Sequence, residues 1–252
     1  MKAAAFELAR PESVAEASRL LAQPGAVAMA GGQSLGPMLN LRLAQPSLIV
    51  QLGAVPDLCG VAQDADAITL GALVTHSAIA DGLVPDPGLN VLARVADGIA
   101  YRPVRNRGTI GGSLCHADPA ADWVTVLMAL GASVHTSGAR SVAVADFVTG
   151  PFRTGLRAGE IVTAVRVPRL RTGARWGYAK ACRKPGEFAH AMAAVLIDAE
   201  GMRLVIGAIG GKPILLREES ALPDALAASG LDPITAHIQS VIARRALAQA
   251  RA

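Results

Sequence analysis

Two glycine doublets, each followed by a small polar side chain, constrain this chain more than any other feature. One reads Ala30-Gly31-Gly32-Gln33-Ser34 and the other Thr109-Ile110-Gly111-Gly112-Ser113. Glycine reaches positive φ and lets a backbone approach a ligand closely. Consecutive N–H groups in such a turn form a concave anion site. Two such turns predict two backbone clamps on one long, doubly charged anion, of which a dinucleotide diphosphate is the obvious case. Each doublet also has an ordinary reading. The first fits a strand-to-helix turn capped by Ser34, and the second a glycine bulge. Neither belongs to a G-x-G-x-x-G fingerprint, and no acid follows at the ribose distance.

The surroundings of the doublets read as α/β. Apolar residues Val14, Ala17, Leu20 and Leu21 recur at helical spacing. Residues 26–29 form a short apolar strand running into the first doublet, 35–43 a helix ending before Pro46, and 48–52 a buried strand. Strand, turn, helix and strand make a βαβ pattern over residues 1–55. The second part, 56–172, mixes a strand at 67–70, a helix capped by Thr75, and a helix at 91–100 ahead of the second doublet. Asp118 and Pro119 suit the N-cap and first turn of a helix that Gly131 closes. A hairpin turns at Ser137-Gly138, and 161–167 alternates as a strand. The third part, 173–252, predicts three antiparallel strands, 176–182, 191–198 and 202–210, followed by a helix over 234–250. The fold class is therefore α+β, two α/β parts followed by a small antiparallel sheet with helices.

Composition removes several function classes. Hydrophobic residues make up 52% and aromatics 3%, so the core is built from Ala, Val, Leu and Ile. The net charge is +4, and the one dense basic cluster is Arg102, Arg105 and Arg107. A nucleic-acid binder would carry a longer basic stripe with stacking aromatics. Cys59, Cys115 and Cys182 are too dispersed to ligate an iron–sulfur cluster or frame disulfides. No apolar run is long enough to span a membrane, and the first residues meet an acid, Glu7, too early for a secretion signal. The expected location is the cytoplasm. Zinc spacings, the nucleophile elbow and the phosphate-loop lysine motif are all missing from the sequence.

Four further side chains stand near these motifs. Asp122 falls on the first turn of its helix, where a carboxylate complements the dipole; with a flavin bound it would accept from ribityl hydroxyls. Lys180 reads as an exposed strand lysine, or as the cation that stabilises reduced flavin at its pyrimidine edge. Phe188 would then lie against the ring. His116 could serve as a base but has no partner nearby in sequence.

Taken in order, these residues resemble the FAD-binding medium subunit of molybdenum hydroxylases, the carbon monoxide dehydrogenase and xanthine dehydrogenase type. The resemblance rests on 30–34, 35–43, Ile68-Thr69-Leu70-Gly71-Ala72-Leu73-Val74-Thr75-His76, Arg105-Asn106-Arg107-Gly108 with 109–113, 119–122, 161–168 and 180–183. It implies a vanillyl-alcohol-oxidase type of FAD domain with the cofactor extended between the first two parts. By position it implies FAD contacts at Met29, Ala30, Gly31, Gly32, Gln33, Ser34, Leu35, Ile99, Thr109, Ile110, Gly111, Gly112, Ser113, Asp122, Val162 and Lys180. No residue acts as a nucleophile, and no metal is held by this chain. The resemblance also implies two partners: a large subunit with a molybdenum–pterin cofactor and a small subunit with two [2Fe-2S] clusters, assembled as a dimer of heterotrimers.

The sequence departs from that family in four places. Gln33 stands where His is frequent, Ser113 where Asp or Asn is common, His237 where an aromatic or Arg is expected, and the stretch after Gly211-Lys212-Pro213 is condensed. Two rival readings stay open. One is a free-standing FAD oxidoreductase with an acid such as Glu187, or Ser113, beside the flavin. The other is a scaffold that has lost its flavin.

Overall fold

The apolar runs bracketing the first doublet do form parallel strands. In the computed structural model, which describes residues 2–252, the chain opens with β1 (Glu7–Ala9), α1 (Val14–Leu21), β2 (Ala26–Met29), α2 (Leu35–Asn40) and β3 (Leu48–Gln51). The sheet order is β1-β3-β2, all parallel. Ala17, Leu48 and Val50 bury one face against α1, and Leu52, Val55, Leu58 and Ile161 continue that core. Helix α2 stops three residues before the expected end because Arg42 takes a left-handed φ of 56°. Ser34 precedes α2 without capping it through its side chain.

The middle of the chain supplies β4 (Val61–Gln63), β5 (Ala67–Gly71), α3 (His76–Ala80), α4 (Val91–Asp97), α5 (Arg102–Arg105), α6 (Ile110–His116) and α7 (Asp122–Ala129). It continues with β6 (Ser133–Thr136), β7 (Ser141–Ala143), α8 (Val144–Phe147), β8 (Val148–Gly150), β9 (Arg153–Thr154) and β10 (Val162–Pro168). Five of these strands make an antiparallel sheet in the order β4-β5-β10-β6-β7. Thr75 caps α3 through its hydroxyl, as its sequence position predicts.

Helix α7 starts later than the Asp118-Pro119 signal predicts. Ala121 is its N-cap. Asp118 instead accepts from the amide of Ala120 at 2.8 Å, closing a turn. The carbonyl of Pro119 is held by the amide of Ala208 at 3.0 Å, which keeps this stretch off the helical path. Gly131 follows the helix with φ of 70°, the left-handed position that glycine fills without strain.

The last part contains β11 (Arg175–Ala181), β12 (Ala191–Asp198), β13 (Gly201–Gly207), β14 (Ile214–Leu216), α9 (Leu222–Ala228) and α10 (Pro233–Arg251). The sheet has four strands in the order β11-β12-β13-β14, not three. β14 pairs only with Leu204, Val205 and Ile206, and a three-residue run is too short to show a strand period. The apolar run of β12 is buried on both faces. Ala194 and Leu196 join the central core that holds α7, while Ala193 and Val195 pack with α10. This sheet is thus clamped between two helices.

α10 reaches the sheet so closely that Gly177 has no room for a side chain. A Cβ there would lie 1.9 Å from the carbonyl oxygen of Ala246. Gly177→Ala should therefore lower unfolding stability by roughly 1–3 kcal/mol, the usual cost of overpacking. A urea midpoint equal to that of the unsubstituted chain would contradict this packing.

Candidate functional site

Both doublets end at one cleft, but their amides are used differently. The chain leaves β2 through Ala30, and Gly31 lies against the backbone of Arg107 and Gly108. A Cβ on Gly31 would sit 1.8 Å from the Arg107 carbonyl oxygen. Gly32 turns with φ of 71°, and its carbonyl accepts from the Gly36 amide at 2.8 Å. Gln33 folds back, its side-chain amide donating to the Gly31 carbonyl at 3.1 Å. Among the described residues, the backbone N–H groups of Gly32, Gln33 and Ser34 meet no acceptor. Uncommitted donors in such a turn suit an anion.

The second doublet is not a loop. Thr109 caps α6, accepting from the Gly112 amide at 3.1 Å. Gly111 donates to Ala72, Ile110 to Val74 and Ser113 to Thr109, at 2.9–3.0 Å. The expectation of a second amide clamp is therefore corrected, because every one of those N–H groups is already paired inside the chain. Gly111 is small for packing reasons, since a Cβ would lie 2.6 Å from that of Ala72. Gly112 abuts the first doublet, its Cβ position being 3.4 Å from the Cβ of Ala30. The second segment offers the Ser113 hydroxyl and a close, flat surface.

The cleft between them encloses about 740 Å³, within the range of small-molecule sites. Its walls include Ala30, Gly31, Gly32, Gln33, Ser34, Leu35, Ile99, Thr109, Gly111, Gly112, Ser113, Asp122 and Val162 from the predicted set. Three predicted residues lie behind the walls. Met29 packs its sulfur beneath Gly32, Ile110 is in the core, and Lys180 sits one layer back.

Lys180 is not an exposed strand lysine. Its Nζ donates to Asp122 Oδ1 at 2.7 Å and to the Gly98 carbonyl at 2.8 Å. Tyr178 donates its hydroxyl to the same Oδ1. Burial first, then the adjacent Asp122 charge, pushes the Tyr178 hydroxyl well above its ordinary range, so it stays a donor. Both partners meet Oδ1, leaving Oδ2 for the cleft, where a carboxylate suits hydroxyl donors.

Sequence reasoning missed His76, Tyr101 and Cys115, which also line the cleft. Burial, aided by the charge of Arg105, lowers the His76 imidazole to about 4, so it is neutral. Cys115 presents an open surface to the cleft. Two of the three arginines in the basic cluster are spent on structure, while Arg107 is exposed. Arg102 grips Asp81 with two 2.6 Å bonds, and Arg105 donates to the Ile99 and Ala100 carbonyls. Among the described residues, the cleft walls contain no Lys or Arg but four acids: Asp118, Asp122, Glu160 and Glu187. An anion held here must be held by neutral donors. The donor set fits FAD on that basis: free amides for a diphosphate, a carboxylate for ribityl hydroxyls, and apolar walls for a ring.

Glu160 joins β10 to β6 at the cleft rim, accepting from Arg140, from Thr136 at 2.6 Å and from the Arg157 amide at 2.9 Å. Arg140, above all, lowers its carboxyl from 4.5 to about 2. The unfolded chain binds this proton first, so the stabilisation is complete above pH 4.5 and is lost as pH falls toward 2. Glu160→Gln should flatten stability across that window, measured as the chemical midpoint against pH. An unchanged acid slope would refute the assignment.

A sequence profile described as "FAD binding domain in molybdopterin dehydrogenase" matches residues 4–170. The nicotine 6-hydroxylase medium subunit of Paenarthrobacter nicotinovorans is 36% identical over 98% of this chain and 89% of its own length. The carbon monoxide dehydrogenase medium chain of Afipia carboxidovorans is 35% identical over 81% of this chain and 73% of its own. Among solved structures, carbon monoxide dehydrogenase from Hydrogenophaga pseudoflava superposes with a TM-score of 0.91 at 28% identity, over 100% of this chain and 99% of that one. Quinoline 2-oxidoreductase from Pseudomonas putida gives 0.87 at 32% identity, over 100% and 99%.

Proposed function

The chain belongs to the FAD-binding domains of molybdopterin dehydrogenases, and from that premise we propose that it is the electron-transferring medium subunit of a molybdenum hydroxylase. In this reading the chain takes electrons from two [2Fe-2S] clusters of a small partner and delivers them to an external acceptor. A large partner with a molybdenum–pterin cofactor oxidises the substrate, and the assembly is a dimer of heterotrimers. The domain division 1–55, 56–172 and 173–252 belongs to the same proposal. Bound FAD supplies reversible acceptance of two electrons.

The single observation that carries this reading is the cleft at the meeting point of both doublets. The amides of Gly32, Gln33 and Ser34, with the Ser113 hydroxyl, would hold the diphosphate. Asp122 would take ribityl hydroxyls through Oδ2. Lys180 and Tyr178 are positioning residues that hold that carboxylate through Oδ1. Lys180 acts on the cofactor through Asp122, which replaces the direct contact expected from sequence. The rival free-standing oxidoreductase draws on one fact: Glu187 lies in the cleft wall, its Oε2 without a hydrogen bond and 3.5 Å from Arg183 Nε. Turnover by the purified chain without partners would favour it.

Gly111→Val is a poor probe, because its side chain would strike Ala72. Gly32→Val is better. A Cβ there meets nothing closer than the Met29 sulfur at 3.5 Å, but φ of 71° is strained for valine. The purified complex should contain molybdenum, iron and FAD, and Gly32→Val should reduce FAD affinity by about tenfold or more, since several amide bonds are lost together. Full flavin content in that variant, or a complex without molybdenum and iron, would overturn the reading.

A further inference from the structure

His76 is buried in the first turn of α3, 6% exposed, yet it forms part of the cleft wall. Its Nδ1 accepts from the indole N–H of Trp123 at 3.1 Å. An indole can only donate, so Nδ1 carries no proton, and a neutral imidazole then carries it on Nε2. Among the described residues that N–H meets no acceptor, and it is not sealed from solvent.

Its position is set by the backbone that also shapes the first doublet. The His76 amide donates to the Gly108 carbonyl at 2.9 Å. A Cβ on Gly108 would lie 2.9 Å from Nε2, so only glycine leaves this ring edge uncovered. A Cβ on Gly31 would lie 3.0 Å from the Cα of the same Gly108. The imidazole edge and the turn with free amides thus flank one residue. With no Lys or Arg in the walls, each neutral donor carries more of the work of holding an anion.

We propose that His76 is a tautomer-locked neutral donor whose Nε2–H binds a phosphoryl oxygen of the dinucleotide, with Trp123 as the residue that fixes the tautomer. The assignment rests on the proposed FAD site. A neutral donor also fits the lowered imidazole basicity, since the ring does not become a cation at neutral pH.

Two substitutions separate binding from packing. His76→Asn places an acceptor at the Nδ1 position and keeps the Trp123 bond but removes the cleft donor. His76→Gln places an amide N–H near the Nε2 position and forfeits the Trp123 bond. With the full chain stripped of flavin and titrated, His76→Asn should weaken FAD and ADP about tenfold each, leave riboflavin unchanged and keep the thermal midpoint. His76→Gln should bind both within about threefold while melting lower. The reverse ranking, or loss of riboflavin rather than ADP, overturns the proposal. Imidazole nitrogen NMR of the unsubstituted chain gives a readout independent of folding defects: Nε2 protonated at neutral pH, its resonance moving when ADP is added. A static resonance overturns the proposal. If the unsubstituted chain binds no FAD, the site itself fails; if it binds FAD and His76→Asn binds it equally, only the role of His76 fails.

Discussion

A buried carboxylate sets the terms for this cleft. Every residue of α7 is buried, and Asp122 is its only charged side chain. An ionised carboxylate out of water needs a counter-charge and hydrogen bonds. Both come from β11, on which Lys180 and Tyr178 stand two residues apart and so share one face of the strand. The C-terminal sheet therefore completes a cleft whose other walls come from the parallel sheet and the five-stranded sheet. Such a pair adds little stability over an apolar substitute of equal volume, but removing one partner typically costs about 3–5 kcal/mol. What it contributes is position, because one oxygen is held and the other is left to the cleft. Gly98, whose carbonyl takes another Lys180 proton, ties the end of α4 to the same point.

The glycines around the cleft do three distinct things. Gly31 and Gly111 are contact residues, where main chains approach too closely for any Cβ. Gly32 is a conformational residue, its positive φ turning a row of amides outward. Gly108 keeps a ring edge open. Only the second use makes an anion cradle, so the two similar doublets are functionally unequal. The first supplies donors. The second, its amides paired with Thr109, Val74 and Ala72, supplies a rigid floor and one hydroxyl.

Much of this was readable in the residues, and the failures have physical causes. Strands β2, β3, β5, β10 and β12 announce themselves as apolar runs bounded by turns, and Thr75 and Gly131 mark helix ends by local chemistry. Asp118 and Pro119 carry an equally good local signal, yet Ala208, eighty-nine residues away in sequence, takes the Pro119 carbonyl and delays the helix. Local propensity loses to a long-range bond there. β14 escaped because three residues have no period. The sequence reads Lys180 as an exposed strand lysine or a cation at the flavin edge, and its depth depends on Asp122 and Gly98 converging from other elements. His76 gave a single weak sign, an imidazole just after a helix cap; its meaning needed Trp123 and Gly108, forty-seven and thirty-two positions on.

The electrostatics of the cleft follow from the same inventory. Its walls carry acids and no Lys or Arg, and Arg102 and Arg105 nearby are engaged with Asp81, Asp97 and backbone carbonyls. A dianion entering such a cleft gains little from long-range attraction and depends on short, directed N–H bonds. Those bonds are pre-set by glycine geometry and, at His76, by a buried indole, so few side-chain rotamers are ordered when a ligand arrives. Neutral donors are also weakly screened by salt compared with cationic ones. A cleft built this way holds its ligand by shape and fixed dipoles. Asp122 remains coupled to the strand that positions it, and through that strand to the packing of α10 behind the C-terminal sheet.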